Sequence, residues 1–129
     1  MTDSELITRA SAMLDRAYAP YSRYPVGAAL LCADGTVFTG CNVENASSPC
    51  GICAERTAVA KAVSEGHADF VRLAVISRAD GPCTPCGMCR QVLYEFAPEL
   101  ELLCCGGDGS VLRIRLRELL PHGFGPDSL

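Results

Sequence analysis

Two short runs of this 129-residue chain hold the residues best suited to chemistry, Cys53-Ala54-Glu55-Arg56 and Pro85-Cys86-Gly87-Met88-Cys89. Each falls where the surrounding pattern predicts the start of a helix. A helix N-terminus presents unpaired N–H groups and the positive end of the macrodipole, and both favour the thiolate form of a cysteine there. Cys86 and Cys89 are three apart, so one helical turn puts both sulfurs on one face. Two such helix starts, facing each other across the ends of parallel strands, would bring three sulfurs to one zinc ion at about 2.3 Å. Three protein ligands leave the fourth tetrahedral position to water, which ionises near neutral pH on such an ion. Glu55, two residues after Cys53, can take that proton and pass it on without binding the metal. Three thiolates around Zn2+ leave a net negative charge, and the two helix ends with Arg56 are the compensation at hand.

The elements that must position these runs follow from periodicity. Thr2-Asp3-Ser4-Glu5 has capping-box spacing, and Leu6, Ile7, Ala10, Met13, Leu14 and Ala17 recur with helical period, which predicts a helix over residues 3–18 before Pro20. The apolar run 26–32, the turn signal Asp34-Gly35 and the run 37–42 predict an antiparallel pair of strands. Residues 54–64 read as a second helix with Gly66 at C′, and 71–77 as a buried strand. A third helix over 87–96, strands over 100–105 and 111–115, a helical turn at 117–120 and an irregular tail complete the chain. Strands alternating with helices predict an α/β domain, a three-layer α/β/α arrangement with a five-stranded mixed sheet. Residues 1–129 are read as a single domain.

Composition narrows the function. Hydrophobic residues make up 49% and charged residues 20%, enough apolar material to fold without disulfides and to leave some for contact between subunits. Against 15 Asp and Glu stand 11 Lys and Arg, a net charge of −4, and the basic residues are scattered. Their longest alternation, Arg113, Arg115 and Arg117, is interrupted by apolar positions. Nucleic acid is therefore a disfavoured partner, and the expected substrate is small and not polyanionic. No apolar run approaches the ~20 residues that span a bilayer, so no membrane segment is expected. The polar stretch Met1 to Glu5 does not read as a secretory signal. Nine cysteines then point to a reducing, cytoplasmic setting, with Cys32, Cys41, Cys104 and Cys105 as buried small hydrophobes. His67 and His122 lie outside the motifs, and His67, after the helix-ending Gly66, reads as a solvated surface residue.

A ligand two residues before a glutamate, followed by P-C-x-x-C, is the arrangement of zinc-dependent nucleobase deaminases. Five segments closely resemble the small cytidine deaminases: Tyr18 to Ser22, Gly40 to Ala46, Cys53 to Ala58, Thr84 to Gln91 and Glu118 to Pro121. The resemblance covers essentially the whole chain and implies a cytidine deaminase-like fold. It further implies hydrolysis of cytidine and deoxycytidine to the uridine forms with release of ammonia, in pyrimidine salvage. The cofactor implied is one zinc ion per chain on Cys53, Cys86 and Cys89, with Glu55 carrying protons to N3 and to the leaving amine. Asn42 and Glu44 would hold the sugar hydroxyls and the Ala54 N–H would contact the pyrimidine. Tyr24 lies where the family usually has Phe against the nucleoside. Relatives of this length are commonly homotetramers with shared sites, and Phe124 would be the residue lent across. A Glu44 carboxylate beside the sugar, and the lack of a phosphate-binding Gly-rich motif, suit a free nucleoside.

Other readings stay open at this level. Cys50-Gly51-Ile52-Cys53 is itself a CxxC, so Cys50 with the other three would make a four-cysteine structural zinc site closed to water. Cys83-Thr84-Pro85-Cys86 has redox-pair spacing but lacks the strand–CxxC–helix opening such a fold needs. A deaminase of a cytosine nucleoside analogue, of the blasticidin type, would share the zinc motif, although Glu44-Asn45-Ala46 follows the cytidine pattern. Ser48 departs from a Tyr often found near there at a subunit contact.

Overall fold

In the computed structural model, which describes residues 1–129, five strands form one sheet: β1 (Val26–Cys32), β2 (Val37–Cys41), β3 (Phe70–Ser77), β4 (Glu101–Cys105) and β5 (Val111–Arg115). Helices α1 (Asp3–Ser11), α2 (Ala54–Ser64), α3 (Gly87–Phe96) and α4 (Leu116–Leu119) complete the fold. The spatial order is β2-β1-β3-β4-β5. Only β3 and β4 are parallel, and α3 is their crossover helix.

Side chains alternate across the sheet with a period of two. Ala28, Leu30 and Cys32 of β1, Leu73 and Val75 of β3, and Leu102 and Cys104 of β4 join the larger core with Ala54, Ala58 and Ala62 of α2 and Leu93 of α3. The residues between them (Ala29, Leu31, Ala74, Leu103 and Cys105) pack with Leu6 and Ala10 of α1. Strands buried on both faces read as unbroken apolar runs, which is why β1 and β4 carry no polar alternation. The result is the three-layer α/β/α arrangement with a mixed sheet.

Most boundaries agree with the periodicity to within a residue, and α1 is the main exception. Its capping box is present: the Glu5 N–H donates to Thr2 Oγ1 at 3.1 Å and the Thr2 N–H to Glu5 at 2.9 Å. The helix stops at Ser11 instead of reaching residue 18, and Leu14–Arg16 form a 3-10 turn. Leu14 is still buried, which preserves the apolar period, but the backbone beyond it bonds elsewhere. The Tyr18 N–H donates to the Asn42 carbonyl at 3.0 Å, and the Glu44 N–H to the Tyr18 carbonyl at 2.8 Å. The tail is less irregular than expected, with a 3-10 turn at Pro126–Ser128. Cys32, Cys104 and Cys105 are buried, whereas Cys41 is only half-buried. His67 is not a plain surface residue: its ring pairs with Asp34 at 3.0 Å and lies tilted against Phe38 at 5.1 Å.

Two glycines matter for α2. Gly66, at φ +88°, closes it, with the Gly66 N–H on the Val63 carbonyl at 3.0 Å and the His67 N–H on the Ala62 carbonyl at 2.9 Å. Gly40 lets the first turn of α2 rest directly on β2, since a Cβ there would lie 2.3 Å from the Ala54 carbonyl oxygen.

Candidate active site

Cys53 is the N-cap of α2 and Cys86 the N-cap of α3, both with extended backbone and neither side chain spent on capping. Cys89 lies in the first turn of α3 and is fully buried. The three Sγ atoms lie within 4.8 Å of one another, and Cys53 and Cys86 are 3.8 Å apart. Tetrahedral ligands at a Zn–S distance of about 2.3 Å stand about 3.8 Å apart, the separation of Cys53 and Cys86, and Cys89 lies near enough to be the third. Cys50 is exposed in a separate 3-10 turn (Ser48–Cys50) and lies outside the cluster, so the four-cysteine site does not form. Cys83 and Cys86 are both unpaired thiols.

The surroundings of Cys53 favour its thiolate. Arg56 Nη2 donates to Cys53 Sγ at 3.4 Å. The Cys89 thiol, with Arg56 behind it, holds Cys53 well below the ordinary thiol range. Cys89 is itself pushed up, because the proton it donates to Cys53 is held there and because it is buried. A cation thus lies directly against the Cys53 sulfur.

Glu55 lies in the first turn of α2 and is only 4% exposed. Burial, with the neighbouring Cys53 adding to it, pushes its carboxyl up to about 7. A carboxyl poised there exchanges protons readily in either direction near neutral pH.

Glu55, Cys53 and Cys86 border one cleft of about 530 Å3, together with Tyr24, Asn42, Glu44 and Ala54. This is a suitable size for a small ligand. A second cleft of about 510 Å3 adjoins it, shares Asn42, Glu44 and Cys53, and extends to Ser48 and Arg56. Asn42 Oδ1 accepts from the Val26 N–H and Nδ2 donates to the Tyr24 carbonyl, both at 2.9 Å. Glu44 Oε1 accepts from the Tyr21 and Ser22 N–H groups at 3.0 and 3.1 Å, and Oε2 from the Ser22 hydroxyl. These hydrogen bonds from Ser22 hold the Glu44 carboxyl below the usual carboxylate range.

Phe124 is not drawn into this cleft. It is 58% exposed, and its carbonyl accepts from Gln91 Nε2 at 2.8 Å. Two supporting residues had escaped the sequence reading. Ser22 fastens Glu44, and its place beside Tyr21 in the Tyr18 to Ser22 run was the available hint. Arg90 clamps the second cysteine run by donating from Nε to the Pro85 carbonyl at 2.7 Å and from Nη1 to the Leu119 carbonyl at 3.0 Å. An arginine one turn after a ligand has no sequence pattern that separates it from a surface charge.

Comparison with known proteins agrees with this geometry. The family model for the cytidine and deoxycytidylate deaminase zinc-binding region matches residues 1–103. A cytidine deaminase of Sporosarcina psychrophila is 42% identical over 130 residues, covering 100% of this chain and 96% of that one. A cytidine deaminase of Halalkalibacterium halodurans is 46% identical over 125 residues, covering 96% and 95%. The crystal structure of cytidine deaminase from Burkholderia pseudomallei superposes with a TM-score of 0.93 at 46% identity, covering 96% of this chain and 100% of that one. With a matching zinc-binding region, full-length relatives and a clustered sulfur triad, this chain belongs to the zinc-dependent cytidine deaminase family.

Proposed function

We propose that this chain catalyses the hydrolytic deamination of cytidine and deoxycytidine to uridine and deoxyuridine, consuming one water and releasing one ammonia. The observation that carries the reading is that one cleft is bordered by Cys53 and Cys86, two of three clustered metal-competent sulfurs, and by a buried carboxyl poised near neutrality. Cys53, Cys86 and Cys89 would hold zinc, which when bound supplies a water acidified to about neutral pKa. Glu55 accepts a proton at its carboxylate and delivers it to the pyrimidine N3, then takes a second proton from the hydroxyl added at C4 and delivers that one to the departing amine. The Ala54 N–H, in the first turn of α2 where no intrahelical acceptor exists, is available to the pyrimidine. Asn42 and Glu44 orient the sugar hydroxyls, and Tyr24 supplies a wall of the cleft. An ionised Glu44 disfavours a nearby phosphate, which favours the nucleoside over a nucleotide.

The same reading takes residues 1–129 as one domain acting in pyrimidine salvage. Nine unpaired cysteines suit a reducing compartment, and we assign the chain to the cytoplasm on that basis. No helix is long and apolar enough to cross a membrane. Exposed Tyr18, Tyr21, Val43, Met88 and Phe124 give apolar surface for subunit contact and support a homotetramer in which Phe124 completes a neighbour's site.

Conversion of cytidine to uridine, followed by ultraviolet absorbance beside a Glu55→Gln control, tests the assignment. Wild type should turn over, and the variant should lose roughly a hundredfold or more while retaining its zinc. Failure of zinc-loaded wild type to convert cytidine would sink the reading.

A further inference from the structure

Only two polar side chains of this chain are buried, Glu55 and Ser77. Glu55 has its place in the reaction, and Ser77 needs a separate reason, because burying a hydroxyl is unfavourable unless its hydrogen bonds are made inside. Ser77 is the last residue of β3 and is 1% exposed. Its Oγ accepts from the Tyr24 hydroxyl at 3.1 Å and from the Ala79 N–H at 3.3 Å.

Tyr24 is fastened at its other end as well. Its N–H donates to Ser22 Oγ at 3.0 Å, and its carbonyl accepts from Asn42 Nδ2 at 2.9 Å. Backbone anchoring fixes where the side chain starts but leaves its two side-chain torsions free. Tyr24 is 44% exposed, so packing does not immobilise its side chain. The bond from its hydroxyl to Ser77 is the one contact that fixes the far end of the ring.

We infer that Ser77 is a positioning residue for nucleoside binding: its buried hydroxyl holds the tip of the Tyr24 ring and so fixes that wall of the cleft. The Tyr24 hydroxyl is committed to the protein, and the ring face is what remains for the ligand. Ser77 touches neither the sulfur triad nor Glu55 by hydrogen bond, so its influence falls on binding and not on the proton transfers. This rests on the proposal that the cleft beside Tyr24 takes the nucleoside.

Steady-state kinetics with cytidine on Ser77→Ala, Tyr24→Phe, the double variant and Tyr24→Ala, each checked for zinc content and thermal stability, test the inference. Ser77→Ala should raise KM about three- to tenfold, the size of one neutral hydrogen bond, with a much smaller change in kcat. Added to Tyr24→Phe, which already lacks the bond, it should raise KM no further. An equal rise of KM in both backgrounds would overturn the inference. So would a loss of thermal stability or kcat with KM unmoved, the result of a merely structural role. Tyr24→Ala separates the two levels. If it leaves KM unchanged, the placement of the nucleoside beside Tyr24 fails. If it raises KM while Ser77→Ala does not, only the positioning role fails.

Discussion

Glu55 and Glu44 line the same cleft, and their surroundings drive them in opposite directions. Glu55 is buried at the start of α2 and is pushed up to about 7. Glu44 is half-buried, and the Ser22 hydroxyl, the Ser22 N–H and the Tyr21 N–H all donate to it, which lowers it. One carboxyl is thereby suited to moving protons and the other to staying charged. For Glu44 the sign is that of a depressed acid. Its contribution is complete above the ordinary glutamate pKa of about 4.3 and is lost only as the pH falls through the lowered folded value. Carboxyl titration by NMR should find Glu44 below free glutamate in the wild type and shifted upward in Ser22→Ala. An unchanged midpoint in that variant would show that Ser22 is not the cause.

At the level of elements, the site is made by two helix starts. Neither α2 nor α3 contains the metal ligand set alone, and the triad forms because both helices begin beside the same cleft. Their lengths were legible from the sequence because apolar spacing and end signals agreed: Gly66 closes α2, and α3 fills one apolar period. The early end of α1 was not legible, since Leu14 keeps the period while the backbone beyond it pairs with residues 42–44. Register between α2 and the sheet rests on Gly40. Gly40→Ala should displace the first turn of α2, lowering stability by about 1–3 kcal/mol and zinc occupancy with it. Gly66→Ala, strained at φ +88° but at the far end of α2, should cost about 1–2 kcal/mol and leave zinc occupancy intact. Calorimetry with metal analysis on both variants checks this, and equal zinc loss in the two would refute the role given to Gly40.

For the whole molecule, the position of Phe124 is the informative feature. A large aromatic that is 58% exposed, with its backbone tied down through Gln91, is presented outward and not folded into its own cleft. A side chain held in that way is suited to a partner subunit. If it completes a neighbour's site, Phe124→Ala should bind substrate poorly in a homo-oligomer. Hybrids formed by refolding it with Glu55→Gln should then regain part of the activity, because some sites receive both an intact Glu55 and an intact Phe124. Sedimentation should report an oligomer. A monomer with full activity, or hybrids no more active than their parents, would remove Phe124 from the site.

The sequence by itself determined the residue types, the three-residue step from Cys86 to Cys89 and the two-residue step from Cys53 to Glu55. Those steps act within one helical turn, so local geometry alone converts them into neighbouring groups. The alternation of strands and helices likewise follows from local periodicity. Whether Cys50 joined the other three was a tertiary matter, because a CxxC lets two sulfurs meet but does not compel it. The same holds for the serine that fastens Glu44 and for the bond between Tyr24 and Ser77, pairs that lie 22 and 53 positions apart. Contacts over such separations are set by how β1, β3 and α2 pack, and no window of local sequence encodes that packing.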